Sequence, residues 1–287
     1  MQQIDIFNDT QATSLANDVV AALADHDDER AAQSIAALRR EEPDYRDLAA
    51  FDTLQAFLEH RGKDSALADV VAIAARVRRI DEFVQPAAAV LGNRADDFLR
   101  PIWRRLAATT HAFDGAFPEA HRAALLLRAG DREAAETAAR EIAGGQRLAV
   151  VQRWLCLARH PRFGLDGVLA PLFRFAWLAP SRLEEIVAEL DDPLLTKAWR
   201  EFLGVFGDLD ASWFPAWYLA EHRAASFIDE AIPDEIPAAA ACRRLVRILA
   251  LEKQGHSPAL VAQRAKLKAL DETFFAWYMA RRSVLHR

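Results

Sequence analysis

Residues 118–145 read PEAHRAALLLRAGDREAAETAAREIAGG, and this stretch decides the fold. Apolar and small residues recur at helical spacing on each side of Gly130-Asp131, and Gly144-Gly145 ends the second run. Glycine adopts the left-handed conformation that ends a helix, and acidic residues favour the first turn of the next helix because of its dipole. The stretch therefore predicts a hairpin of two helices, over 118–129 and 131–143.

Residues that start and stop helices punctuate the rest of the chain in the same way. Before the hairpin they predict helices over 9–24, 27–40, 45–60 and 64–80, which would pair as two antiparallel hairpins. After it they predict helices over 148–159, 165–178, 181–190, 193–204, 212–227, 236–254 and 258–282. Pro101 lies inside an otherwise helical run, where we expect a break or kink. Because no segment alternates strictly between apolar and polar residues, the sequence predicts an all-α protein.

A second copy of the hairpin turn occurs near the N-terminus. Residues 22–32 can be laid over residues 126–136, with His26-Asp27 in the place of Gly130-Asp131. The offset of 104 residues is close to three units of about 34 residues, a length found in helical repeats. Since one hairpin cannot bury its apolar face alone, the repeated pattern favours a stack of hairpins.

The hairpin at 118–143 resembles the tetratricopeptide-like superfamily, whose turn often reads Gly-Asp followed by an acidic residue and an inward alanine. The residues at these four positions are Gly130, Asp131, Glu133 and Ala135. The chain departs from the family pattern at Arg132, Glu119 and His26, where an aromatic residue, a large residue and a glycine are usual. A regular array of consensus repeats is therefore not expected.

This resemblance implies an irregular right-handed superhelix of antiparallel helical hairpins, a tetratricopeptide-like solenoid. Its concave groove would hold a peptide or a partner helix. The implied organisation is one helical-repeat domain over residues 1–287, which could divide near 113–117. The alternative is an irregular α-helical domain that contains one such hairpin.

The charge of the chain argues against nucleic acid as its partner. The formal net charge is −6, and the acidic excess lies in the first half: residues 1–143 carry −8 and residues 144–287 carry +2. A general nucleic-acid binder needs a basic footprint that displaces counterions from phosphates. We therefore expect no nucleic-acid partner.

The N-terminus and the apolar runs indicate where the protein resides. No run approaches about 18 apolar residues, and the first residues lack the basic head and apolar stretch of a signal peptide. We expect no membrane segment and a cytoplasmic location. Cys156 and Cys242 both lie in apolar helical patterns, which predicts two buried thiols and fits a reducing compartment.

Motifs for catalysis or cofactor binding are missing from the sequence. The phosphate-binding loop, the dinucleotide fingerprint and the hydrolase elbow do not occur. His26-Asp27 is interpreted as part of the turn between two helices, in which Asp27 caps the second helix. Cys156 and His160 have a spacing that metal sites use, but Cys242 has no histidine within a turn. We predict no metal, no cofactor and no catalytic residue.

Aromatic residues are concentrated in the second half, which holds six of the seven tryptophans. Trp213 with Trp217, and Phe214 with Tyr218, form two adjacent stripes on one helix. Such a helix must be packed on both sides or must offer one stripe to a partner.

Arginines cluster at the ends and edges of apolar helices: Arg76/Arg78/Arg79, Arg100/Arg104/Arg105, Arg243/Arg244/Arg247 and Arg281/Arg282. Their usual role is to form a solvated face. Arginines that converge across a groove would instead favour an acidic peptide or helix as ligand.

The leading hypothesis is a protein-interaction scaffold that binds a peptide or partner helix in a solenoid groove. Its predicted site residues are Trp213, Trp217, Tyr218, Arg243 and Arg247. One alternative is a helical enzyme or small-ligand-binding protein with an aromatic pocket, in which His222 beside Glu221 is a candidate. The other is a self-associating structural protein, in which the aromatic face forms a homodimer interface.

Overall fold

The protein is described by a computed structural model over residues 11–60, 69–109, 112–206, 209–222 and 235–285, with side chains described through Arg282. Every regular element in these ranges is helical and none is a β-strand, which confirms the all-α prediction. Parts of three predicted helices, at 9–10, 64–68 and 223–227, lie outside the described residues. Among the helices within these ranges, none is both long enough and apolar enough to cross a membrane.

The helices are listed here in chain order: α1 (Gln11–Ala24), α2 (Asp28–Glu41), α3 (Leu48–Glu59), α4 (Val70–Arg79), α5 (Gln85–Ala88), α6 (Ala95–Ala108), α7 (Arg122–Arg128), α8 (Arg132–Arg140), α9 (Ala149–Leu178), α10 (Leu183–Leu190), α11 (Pro193–Val205), α12 (Phe214–His222), α13 (Pro237–Glu252), α14 (Pro258–Leu270) and α15 (Glu272–Leu285). A π-helical turn over Ile80–Val84 joins α4 to α5, and a 3-10 turn over Ala89–Arg94 joins α5 to α6.

The chain forms two compact units, residues 1–138 and residues 139–287. In the first unit α1 packs on α2, α2 on α3, and α6 on α7, while α3 packs on the π-helical turn and α5. In the second unit α12 packs on α13, α13 on α14, and α14 on α15. The single helical-repeat domain and its superhelix stay predictions.

The two turns that the sequence relates share one backbone conformation. His26 has a φ of 56° and Gly130 a φ of 77°, so both are left-handed. The aspartate after each donates its N–H to the carbonyl oxygen five residues back, at 2.9 Å in both turns. Ala31 and Ala135, which occupy matching positions in the second helices, are fully buried. The two segments are therefore similar in turn geometry as well as in residue pattern.

The first helix of the hairpin begins later than the sequence predicts. Pro118–Ala120 form a 3-10 turn, and α7 begins at Arg122. The extended backbone of His121 ends the turn, and its ring Nδ1 accepts the N–H of Ala123 at 3.2 Å. A side-chain cap, which the proline pattern did not reveal, sets this helix boundary.

One of two helix interruptions that the sequence predicts is present. The predicted break at Pro101 does not occur, because α6 continues through it; the buried face of Phe98, Ile102 and Leu106 outweighs the lost hydrogen bond. In α9 the helix also continues past Pro161, and the two predicted helices meet at Gly164, whose φ of 63° and ψ of −162° are not helical.

The predicted helix over 258–282 is two helices, α14 and α15. Asp271 between them is extended, with φ −160° and ψ 121°. Its carboxylate accepts the N–H of Phe274 at 2.6 Å and so caps α15. The cap residue was present in the sequence, but the apolar pattern continued across it.

The core of the second unit contains the aromatic residues that the sequence assigns to a groove. Trp213, Trp217 and Tyr218 are only 7%, 2% and 7% exposed. Rings of α15, α11 and α9 pack against them at centroid distances of 5.1, 5.8 and 5.8 Å: Phe274 on Trp213, Phe202 on Trp217 and Phe173 on Tyr218. The groove assignment of these rings is therefore corrected, because other helices cover both aromatic stripes of α12.

Candidate functional site

The first unit contains a cavity of about 840 Å³ that is lined by charged side chains. One wall is a face of α6, the second is the π-helical turn with α5, and the third is the turn between α7 and α8. This volume lies in the range of roughly 300–1,000 Å³ that small-ligand and side-chain pockets occupy.

The α6 wall follows directly from helical spacing. Asp96, Arg100 and Trp103 are four and three residues apart, so they project from one face of the helix. Trp103 is 2% exposed and packs into the core, whereas Asp96 and Arg100 are exposed at the cavity. The wall thus presents an apolar base and two opposite charges.

Arg128 reaches across the cavity from the end of α7. Its guanidinium lies 4.8 Å from the ring centroid of Trp103 and donates to both carboxylate oxygens of Asp81 in the π-helical turn, with Nη2 to Oδ2 at 3.0 Å. A bidentate pair and a cation–π contact hold the planar group in one orientation. Arg128 therefore joins two walls and covers the tryptophan.

A second bidentate pair orders the turn between α7 and α8. Arg104 donates its Nε and Nη2 to the two oxygens of Asp131, both at 2.6 Å. These hydrogen bonds lower the pKa of Asp131 below its usual range, burial opposes them, and the nearby charge of Arg100 contributes to the lowering. Asp131 is therefore an anion at neutral pH, and its guanidinium partner is already in place.

Arg100 has no hydrogen bond or ion pair with any of the residues that the structure describes, and neither has Asp96. Arg132, at the first position of α8, lines the same cavity. Arginines from α6, α7 and α8 thus converge, with Arg128 engaged by Asp81 and Arg100 available to a ligand. A guanidinium binds carboxylate or phosphate through paired N–H donors, so the cavity can hold an anionic group.

The sequence pattern indicates a cluster for only one of these three arginines. Arg100 is grouped there with Arg104 and Arg105, which are its neighbours in sequence. Arg128 and Arg132 lie 28 and 32 residues further along and approach only through the packing of α6 on α7. The available signal was the Gly130 turn, which directs the end of α7 and the start of α8 to one place.

The predicted arginine anchors lie on α13 in the second unit. Arg243 is half-buried and Arg247 is exposed. The structure does not bring them to a groove with Trp213 and Trp217, whose rings are in the core. Tyr218 is buried too, but its side chain also lines a second cavity, between α9, α11 and α12.

Two residues whose spacing suits a metal site, Cys156 and His160, have other contacts in the structure. His160 donates through Nε2 to Asp192 Oδ2 at 2.9 Å, and Cys156 is fully buried as a free thiol. Within the described ranges, no group of three or more His, Cys, Asp or Glu side chains is arranged to hold a metal ion.

Comparison of the chain with protein-family models, with curated proteins and with solved structures finds no match to any of them.

Proposed function

We propose that the protein is an interaction module that binds an acidic segment of a partner protein at the arginine-lined cavity of its first unit. The observation that carries this proposal is the convergence of Arg100, Arg128 and Arg132 from three helices on one cavity. A partner glutamate or aspartate enters between Arg100 and Arg132, and its carboxylate is held by paired guanidinium N–H groups.

The ordered charges around the cavity support recognition of a carboxylate. Arg128 and Arg104 are each fixed by a bidentate carboxylate, so the wall changes little when a ligand binds. A pre-ordered wall reduces the entropy that binding costs. Arg100 has no protein partner to give up among the described residues, so its pairing with a ligand carboxylate replaces water alone.

The same surroundings favour a peptide over a polyanion. Asp81 and Asp96 line the cavity beside the arginines, and the first half of the chain carries a formal charge of −8. A nucleic acid would bring a row of phosphates close to these carboxylates, and like charges repel. A peptide presents separate carboxylates between neutral amides, and Asp96 can accept hydrogen bonds from its N–H groups.

The test uses a defined probe, a fluorescent peptide library with alternating acidic and apolar residues, and a second library in which Gln replaces Glu. Binding is measured by fluorescence anisotropy for the wild type and for the double variant Arg100→Glu with Arg132→Glu. The acidic library should bind more tightly than its Gln counterpart. The double variant should lose at least about tenfold in affinity, since hydrogen bonds to charged groups contribute roughly 1.5–3 kcal/mol.

Arg122→Glu on α7 is the control for charge reversal, because it makes the same change as each substitution of the double variant, on an exposed residue that does not line the cavity. It should keep wild-type affinity, and all variants should keep the helical circular dichroism signal. Equal binding of the two libraries, or an equal loss in Arg122→Glu, would refute the proposal.

A second candidate function, binding of a small molecule, is favoured by a different observation in the second unit. There Tyr218 lines a cavity that is also lined by carboxylates.

A further inference from the structure

The second unit contains a cavity of about 530 Å³ where three helices meet. The non-helical bend of α9 at Gly164 forms one side, the first three turns of α11 form another, and the end of α12 forms the third. Because the bend interrupts α9, residues 163–166 turn toward α11 and line the cavity. The volume suits a small organic molecule.

Carboxylates dominate the polar lining of this cavity. Asp166, Asp192 and Glu201 all contribute to the lining, and Lys197 supplies one ammonium group, which lies 3.9 Å from Glu201. Asp166 is exposed at the cavity and forms no hydrogen bond or ion pair with any side chain or backbone group in the described ranges.

Asp192 is ordered by three hydrogen bonds. Its Oδ1 accepts the N–H groups of Leu194 and Leu195 at 2.9 and 3.0 Å, and its Oδ2 accepts Nε2–H of His160 at 2.9 Å. Burial alone would raise the pKa of Asp192, but these hydrogen bonds outweigh it and lower the pKa. A carboxylate has about four lone-pair positions, so one position remains for a ligand donor.

Tyr218 supplies an independent observation. The residue is only 7% exposed, and it lines the cavity together with these carboxylates. Its hydroxyl has no hydrogen-bond partner among the described residues. Burial, and then the charges of Asp166 and Asp192, raise the pKa of Tyr218. Because the hydroxyl has no protein partner to give up, it can accept a hydrogen bond from a ligand donor.

We propose that this cavity binds a primary amine carried on an apolar chain, with Asp166, Asp192 and the Tyr218 hydroxyl as the three acceptors of its ammonium group. An ammonium group has three N–H donors, which matches three acceptors from three elements. The carboxylates would repel an anion, and an uncharged alcohol would leave two acceptors unmatched.

The rest of the lining suits the apolar part of such a ligand. Phe163 and Leu194 are 51% and 68% exposed, although both are large apolar side chains, and they lie at the rim of the cavity. The ring of His222 lies 4.2 Å from that of Tyr218, tilted by 38°, and extends the aromatic wall. A chain of a few methylene groups would cover these surfaces, at about 0.8 kcal/mol for each methylene that is buried.

An alkylammonium group could come from a free amine or from a lysine side chain of another protein. The chemistry at the three acceptors is the same for both. The probes are therefore n-hexylamine, n-hexanol as its uncharged counterpart, and a short capped peptide with one central lysine, each titrated calorimetrically into the full chain.

The amine should bind at least roughly tenfold more tightly than the alcohol, because a charged hydrogen-bond donor contributes more than a neutral one. Asp166→Asn and Tyr218→Phe should each weaken amine binding by about five- to tenfold, the loss of one acceptor. Asp191→Asn, one residue before Asp192 and outside the cavity lining, makes the same charge change as Asp166→Asn and should bind like the wild type.

Tighter binding of the hexylamine than of the peptide assigns the site to a free amine, and the reverse order assigns it to a lysine side chain. Equal affinity for amine and alcohol would overturn the proposal, as would an equal loss in Asp191→Asn. Because Asp166 is exposed, its variant keeps the test valid even where Tyr218→Phe disturbs the core. The proposal does not rest on the first unit, so the Arg100→Glu and Arg132→Glu double variant should bind the amine unchanged.

Discussion

The ring Nε2 of His26 lies 2.7 Å from the main-chain carbonyl oxygen of Phe98. A carbonyl oxygen can only accept, so Nε2 carries the hydrogen and donates it. His26 has a φ of 56°, a conformation that glycine adopts at the matching turn. The hydrogen bond and the ring contact with Phe98, with centroids 5.2 Å apart, stabilise a side chain where the backbone alone would favour glycine.

Two substitutions of His26 should separate the strain of its backbone from its hydrogen bond. His26→Ala loses the bond and keeps the left-handed strain that the wild type already carries, so the free energy of unfolding should fall by about 1–2 kcal/mol. His26→Gly loses the bond but relieves about 1–2 kcal/mol of that strain, so its stability should be close to that of the wild type. Urea denaturation measures both, and equal losses would show that the left-handed conformation costs nothing here.

Trp217 and Arg247, both predicted as binding residues, should differ sharply in their effect on stability. Trp217 is 2% exposed among other rings, so Trp217→Ala should lower the free energy of unfolding by about 3–5 kcal/mol through the cavity it leaves. Arg247 is exposed, and Arg247→Ala should change it by less than about 0.5 kcal/mol. Thermal and urea unfolding check both values, and a stable Trp217→Ala protein would contradict the core assignment.

Glu252 should be among the most sensitive charged residues of the second unit. Its side chain, 10% exposed, accepts from Arg264 at 2.6 Å and from the Tyr278 hydroxyl at 2.5 Å, and Arg282 lies 3.1 Å away. Glu252→Gln leaves buried guanidinium groups without a counter-charge and should cost about 3–5 kcal/mol. Glu189→Gln removes a bidentate pair with Arg153 in which both side chains are 35% exposed, and should cost under about 1 kcal/mol. Chemical denaturation of the two variants gives the comparison, and similar losses would contradict it.

The lowered pKa of Asp192 should make the free energy of unfolding depend on pH. Because its pKa is lower in the folded chain than the value of about 3.9 in an unfolded one, the carboxylate stabilises the fold fully above that value. This contribution declines as pH falls below about 3.9 and is lost once pH passes below the folded pKa. Asp192→Asn should therefore be less stable than the wild type near neutral pH, with a difference that shrinks at low pH. Urea denaturation from about pH 7 to about pH 3 measures the trend, and a constant difference would rule it out.

Both thiols should be unreactive in the folded chain. Cys156 and Cys242 are fully buried, and burial raises the pKa of each thiol well above its usual value. A disulfide reagent that detects thiolates should therefore react slowly with native protein and rapidly with both thiols after unfolding in urea. A fast native reaction of one thiol would show that its helix opens easily.

The two left-handed turns of this protein could be predicted from the sequence, because the conformation of a turn depends on residues that are neighbours in the chain. Gly130-Asp131 predicted a left-handed turn, and the overlay predicted that His26-Asp27 would match it; the structure has both. The predicted helix boundaries were wrong where a capping side chain, such as that of His121 or Asp271, sets the boundary. A cap is one hydrogen bond, which the apolar pattern does not record.

By itself, the sequence determined that the chain is helical, where most helices lie, and that both cysteines are buried. These properties depend on apolar spacing and residue type along short segments. Only the tertiary structure decided that Trp217 packs in the core, that Arg100 lines one cavity with Arg128 and Arg132, and that Tyr218 lines another with two carboxylates. These relationships join helices far apart in sequence, and the packing of each helix against its neighbours, which no local pattern specifies, sets them.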